Sequence, residues 1–205
     1  MIFKACWQAR EGVDDARCNS FTLARALAAA FDAHAQVINL SLAGPDDPLL
    51  EDLIHEGLRR GVLFVGAATD AAEGPNHLLQ QAGVIEVASA ESAAAPIGTA
   101  LYAPGREILT LLPGGHYDFA SGASIATAQI SGVVALMLAR EPGLSAEAAY
   151  RLLRDTSSAP ATAAGGVKGV DACAAVVTLL HQGSCHPASA DREALQERDH
   201  RVALH

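Results

Sequence analysis

The sequence predicts a three-layer α/β fold: a parallel sheet with helices on both faces. Three observations carry that expectation. Apolar, β-branched runs at 36–42 (QVINLSL), 62–68 (VLFVGAA) and 84–90 (VIEVASA) have the composition of strands buried on both faces. Helical patterns alternate with these runs, giving the strand–helix–strand order that builds parallel sheets. Half of the 205 residues are apolar and only 4% aromatic, a composition of closely packed α/β domains and not of disordered chains.

The elements follow in order. Residues 2–7 (IFKACW) read as a short strand. Asn19 and Ser20 offer a cap for a helix over 21–34, whose Phe21, Leu23, Ala24, Leu27 and Phe31 share a face. After the 36–42 strand, GPDDP (44–48) is a turn. LLEDLIHEGLRRG is then an amphipathic helix closed by Gly61. Beyond the 84–90 strand, ALYAPG and ILTLLPGGHYDFAS read as short strands joined by a Pro-Gly turn. A long apolar helix begins near Ser124 and runs to Arg140, where EPGLS breaks it. Ser145 caps the next helix, with Glu147 near the capping-box position. GGVKGVDACAAVVTLL is a loop entering a last helix. Residues 1–182 are read as one domain and the polar segment 183–205 as a peripheral tail.

Charge and composition exclude several classes. A net charge of −9 does not supply the basic surface that phosphate binding requires. No apolar run reaches the roughly 18 residues of a membrane span, and MIFKACWQAR lacks the apolar stretch of a signal peptide. No Cys/His spacing argues for zinc or another metal, and no cofactor is expected. The four cysteines form two local pairs, Cys6 with Cys18 and Cys173 with Cys185. Such spacing fits two disulfides and an exported protein; the alternative is four reduced thiols in a cytosolic one.

Four blocks, in order, resemble the subtilisin-like serine peptidases (subtilases, peptidase S8). SGASIATAQISG (121–132) resembles the Gly-Thr-Ser-Met-Ala-x-Pro nucleophile motif and its helix. VINLSLAGP resembles the strand Val-Ile-Asn-Met-Ser-Leu-Gly-Gly, and GVLFVGAATD the strand ending in Ala-Ala-Gly-Asn. YAPGREILTLLPGGHYDFASGAS fits the hairpin before the nucleophile. The agreement runs from about Ile2 to Val176. It implies a subtilisin-like fold that lacks the N-terminal strands, with Ser124 at the nucleophile position and Asp70 at the oxyanion position. It also implies that Ser41, Leu42 and Ala43 form one wall of a substrate cleft, and Ala67, Ala68 and Thr69 the other. A peptide added as a strand between such walls is held by its backbone, and pockets then choose its side chains. From the residues alone, Ser124 reads either as a nucleophile at a helix N-terminus, where the dipole favours developing negative charge, or as a plain cap.

The chain departs from the family pattern at several points. Asp70 stands where the family has Asn; an ionised Asp accepts but does not donate, and losing an oxyanion donor costs on the order of 100- to 1,000-fold in rate. Thr69 replaces a Gly, Ala123 a Thr, Ala128 a Pro and Gln129 a His. The family's Asp-Ser/Thr-Gly and His-Gly-Thr motifs occur nowhere in the chain. The resemblance therefore places Met1 mid-domain, with Asp and His upstream or on another chain.

Three functions follow as expectations: a peptidase domain needing base and acid from an upstream fragment; a pseudopeptidase binding a peptide or protein partner through the cleft; and a different serine hydrolase using His77 or His116 as base. Family and cysteines together favour a secreted or periplasmic location. The strand at 2–7, left without its family neighbour, is expected to be an exposed apolar edge open to self-association.

Overall fold

The structure is a computed structural model that describes residues 1–8, 16–69, 76–91, 99–112, 114–158, 168–181, 183 and 185. Its centre is a four-stranded parallel sheet in the order β3 (Val37–Leu40), β4 (Leu63–Ala67), β5 (Val84–Ser89), β6 (Leu101–Ala103). Helices α1 (Ser20–Asp32) and α2 (Pro48–Arg59) cover one face. Helices α3 (Ala123–Arg140), α4 (Ala146–Asp155) and α5 (Ala172–Leu180) cover the other.

Alternation along the strands divides the core. Leu63, Val65, Ile85 and Val87 pack toward α3, together with Ile130, Val134 and Met137. Ile38, Leu40 and Phe64 pack toward α1 and α2, with Leu27, Phe31 and Ile54. Because side chains repeat every second residue along a strand, one strand feeds both layers, which is why these segments read as unbroken apolar runs. At Gly57 of α2 an added Cβ would meet the Phe64 ring at 2.6 Å, so a glycine sets the closest approach of that helix to the sheet.

The helix caps follow local chemistry. The Asn19 side chain accepts from Thr22 N–H while the Thr22 hydroxyl accepts from Asn19 N–H, closing a capping box. Asp47 caps α2 through Leu49 and Leu50 N–H and also accepts from the Ser20 hydroxyl. That hydroxyl, together with the two N–H bonds, outweighs desolvation and holds the Asp47 carboxyl below its ordinary value. Ser145 caps α4 by accepting from Ala148 N–H. Glu147 does not take the capping-box role expected for it and pairs with Arg151 instead.

Three further expectations are corrected. Phe21 is 67% exposed and outside the core, and Ala30 takes its place on the buried face of α1. Residues 2–7 do not form a strand of the main sheet. Cys6–Gln8 (β1) pairs antiparallel with Ala16–Cys18 (β2), in a hairpin whose Cys6 and Cys18 lie at disulfide distance. The edges of the main sheet are therefore not at 2–7: among the described residues they are β3 and β6. By length and mean composition alone α3, with 18 residues, could cross a membrane, although no unbroken apolar run in it reaches that length. It packs on β3, β4, β5, β6 and α5, which is the position of a core helix.

Cys173 and Cys185 also lie at disulfide distance. Apart from Gly183 and Cys185, the 183–205 segment read as a tail lies outside the described residues.

Candidate active site

The carboxyl ends of β3 and β4 and the N-terminus of α3 meet at one rim of the sheet. In open parallel sheets that rim is where ligands bind. The chain reaches it through Pro104 and Gly105. Gly105 N–H donates to the Glu91 carboxylate at 2.9 Å, and its carbonyl accepts from Gly122 N–H at 2.7 Å. Between these glycines the chain leaves as the antiparallel hairpin β7 (Ile108–Leu112) and β8 (His116–Ala120) and returns. Burial tends to raise the Glu91 carboxyl, but the Gly105 N–H and Ser89 hydroxyl outweigh it and hold Glu91 below its ordinary value.

Gly122 caps α3 at φ 140°, a backbone conformation that disfavours any residue with a Cβ. Ser124 is therefore the second residue of the helix and not its cap, which removes the cap reading of this serine. Its side chain is exposed. The first N–H groups of a helix have no intrahelical acceptor, and no side chain caps this helix. The Ser124 hydroxyl thus lies at the positive end of an 18-residue helix dipole.

Ser41, just past β3, donates its hydroxyl to the Ser124 carbonyl at 3.2 Å. Asn39 Nδ2 donates to Ser41 Oγ at 3.0 Å, and Ser131 Oγ donates to Asn39 Oδ1 at 3.1 Å. This row of polar groups fastens the first turns of α3 to the end of β3. Leu42 is half-buried and Ala43 exposed; opposite, Ala68 is buried, with Ala67 and Thr69 half-buried. Asp70 lies outside the described residues.

Sequence reasoning missed Asn76. Only 1% exposed, it donates from Nδ2 to the Leu42 and Ala67 carbonyls, both at 3.0 Å, and accepts from Gly44 N–H at 3.2 Å. One amide thus ties both expected cleft walls together. The signal in the sequence was an Asn after Gly-Pro, a pattern that also marks any ordinary turn.

None of the described histidines makes a hydrogen bond to the Ser124 hydroxyl. His77 lies 3.7 Å from the Asp46 carboxylate on an exposed loop, and His116 is exposed on β8. His34, His55 and His181 are exposed on other elements. Among the described residues no cluster of His, Cys, Asp or Glu is placed to hold a metal.

A parallel α/β domain with an exposed serine at the N-terminus of its central helix has the frame of a serine hydrolase. Residues 8–174 match the subtilase family (peptidase S8), and the chain belongs to that family. It is 28% identical over 140 residues to the subtilisin-like serine protease Pen c 1 of Penicillium citrinum, covering 63% of this chain and 35% of that protein. It is 30% identical over 126 residues to the major intracellular serine protease of Bacillus subtilis, covering 55% and 40%. The chain thus spans less than half the length of these relatives. Among solved structures it resembles the patellamide maturation protease PatA, with TM-score 0.63 and 26% identity over 82% of this chain and 71% of that one. It shares its fold with fervidolysin of Fervidobacterium pennivorans, with TM-score 0.63 and 22% identity over 76% and 28%.

Proposed function

We propose that residues 1–182 are the nucleophile-bearing part of a subtilisin-like serine endopeptidase domain. The observation that carries the reading is Ser124 itself: exposed, second in α3 after a φ 140° glycine, at a helix N-terminus that no side chain caps, on the carboxyl rim of the sheet. Ser124 Oγ attacks the scissile carbonyl carbon and gives its proton to a general base. The carbonyl oxygen gains the negative charge and is met by the Ser124 N–H at the helix N-terminus. The substrate is an extended peptide lying between Ser41–Ala43 and Ala67–Thr69. The base and its orienting carboxylate come from outside the described residues, because none of the described histidines bonds to the hydroxyl. By its resemblance to the family, Asp70 takes the oxyanion role in this reading, and its ionised form would weaken that hole. Asp70→Asn, measured with the base supplied, raises the rate by on the order of 100-fold.

The same lack of a histidine partner supports a second reading, a pseudopeptidase that holds a peptide or protein partner in the cleft. Fluorophosphonate labelling separates the two. Labelling at Ser124 when an N-terminal fragment with the family's Asp and His motifs is added supports the peptidase. Peptide binding that survives Ser124→Ala, with no labelling under either condition, supports the binder.

A further inference from the structure

The hairpin of β7 and β8 turns its apolar face away from the protein. Leu109 pairs with Phe119 and Leu111 with Tyr117 across the two strands. Side chains alternate along a strand, so these four share one face, and Ile108, Thr110, Asp118 and Ala120 share the other. An antiparallel ribbon ordinarily lays its apolar face on a core and its polar face in water. Here the order is reversed. Leu109, Leu111, Tyr117 and Phe119 are 59%, 66%, 69% and 65% exposed, while Ile108, Thr110 and Ala120 are half-buried. None of the four exposed side chains carries a charge, and the Tyr117 hydroxyl is their one polar group.

The base of the hairpin is fixed in place. Gly122 N–H donates to the Gly105 carbonyl across it, Glu107 N–H donates to Ser121 Oγ at 2.9 Å, and Gln129 Nε2 on α3 donates to the Pro104 carbonyl at 2.6 Å. A face set in advance has little ordering entropy to lose on docking. At these exposures the four side chains offer about 500 Å² of apolar surface, as large as the largest patch on a typical monomer. Two such faces together bury about 1,000 Å², which reaches the size a specific interface needs.

We infer that a second copy of this chain covers the face, the two hairpins stacking across a twofold axis as a four-stranded sandwich with its sheets about 10 Å apart. A twofold contact uses the same patch on both partners, so one patch supplies both sides. Two chains of net charge −9 repel each other, and a face without charged side chains lets them meet with no like charges brought together in the contact. The Tyr117 ring can be covered while its hydroxyl keeps to the wet rim. The inference concerns a different surface from the candidate active site and does not rest on Ser124 being a nucleophile.

The test follows the whole chain by sedimentation velocity over a range of concentrations, where a reversible monomer–dimer equilibrium is expected. Raising salt from about 0.01 M to about 1 M shortens the Debye length from about 30 to about 3 Å and should tighten the dimer, because it screens the repulsion between the two chains. Leu111→Glu brings a carboxylate from each copy into the contact and should weaken the dimer about 10-fold or more. Leu136→Glu, at a leucine on α3 that is just as exposed, should leave it unchanged. Hydroxyl-radical footprinting of the unaltered chain stands in if Leu111→Glu fails to fold: Tyr117 and Phe119 should become protected as concentration rises, and the exposed Phe21 should not. A monomer at every concentration and salt overturns the inference, as does a dimer that loosens with salt, survives Leu111→Glu or is lost in Leu136→Glu. Protection of Phe21 without Tyr117 and Phe119 also overturns it. In a last arm the N-terminal fragment with the family's Asp and His motifs is added: a complex that needs Leu111 and displaces the dimer overturns the inference in favour of that fragment as occupant.

Discussion

Replacing Asn76 tests whether one buried amide holds the two walls of the candidate site. In Asn76→Ala, the Leu42 and Ala67 carbonyls lose their donor and Gly44 N–H its acceptor. A buried polar group left unpaired costs about 1–3 kcal/mol. The backbone at Leu42 and Ala67 is only half-buried, so water recovers part of this, and the low end applies at each of three groups. The expected destabilisation is about 3–4 kcal/mol, a large share of the roughly 5–15 kcal/mol that holds a domain together. It corresponds to a fall in Tm of about 10 °C for a domain of this size. Asn76→Asp should be worse at pH 7, because an ionised carboxylate would face two carbonyl oxygens with nothing to donate. Its deficit should shrink in acid as the carboxyl gains a proton. Urea unfolding of the three proteins at pH 7 and pH 4.5 gives these energies directly. If Asn76→Ala unfolds within about 0.5 kcal/mol of wild type, the ordinary range for an inconsequential surface change, the walls are not held by this residue.

Other predictions concern single groups. Cys6→Ser with Cys18→Ser opens a loop with sequence separation 12 and should cost about 3 kcal/mol by the chain-entropy account, read by urea unfolding with and without reductant. Burial raises the Glu86 carboxyl above its ordinary value, so the folded state disfavours its charge. The stability linked to it is present below the unfolded value of 4.5 and lost as pH rises through the folded one. Glu86→Gln should therefore raise Tm at pH 7 and have little effect at pH 4. Glu91 has the opposite sign. Its lowered value gives stability above 4.5 that is lost as pH falls through the folded value, so Glu91→Gln should destabilise at pH 7 and converge with wild type in acid.

Much of the fold was legible because local and global signals agree. The runs 36–42, 62–68 and 84–90 are apolar on both faces because helices cover both faces of β3, β4 and β5. Asn19 and Ser145 cap helices through side-chain chemistry that needs only neighbours in sequence. What was not legible depends on distant partners. Phe21 has the spacing of a core residue, but it sits in the first turn of α1 with its ring largely in solvent. The composition of IFKACW suits a strand, yet its partner is fixed by a cysteine 12 residues away and not by its own pattern. Asn76 bonds to Leu42, Gly44 and Ala67, and no spacing in the sequence brings those three together. Ser124 was found through the motif around it, while its place as second residue of the helix needed the Gly122 backbone.

We propose that Ser124 is a nucleophile whose proton acceptor is carried on a part with the family's Asp and His motifs, which occur nowhere in this sequence. Intact-mass and peptide mapping after fluorophosphonate treatment test it most directly. The chain alone should stay unlabelled. One adduct should appear at Ser124 when an N-terminal fragment carrying the family's Asp and His motifs is added, and Ser124→Ala should abolish it. Labelling of Ser124 in the isolated chain at the same rate would contradict the missing base, and an adduct on any other residue would contradict the nucleophile.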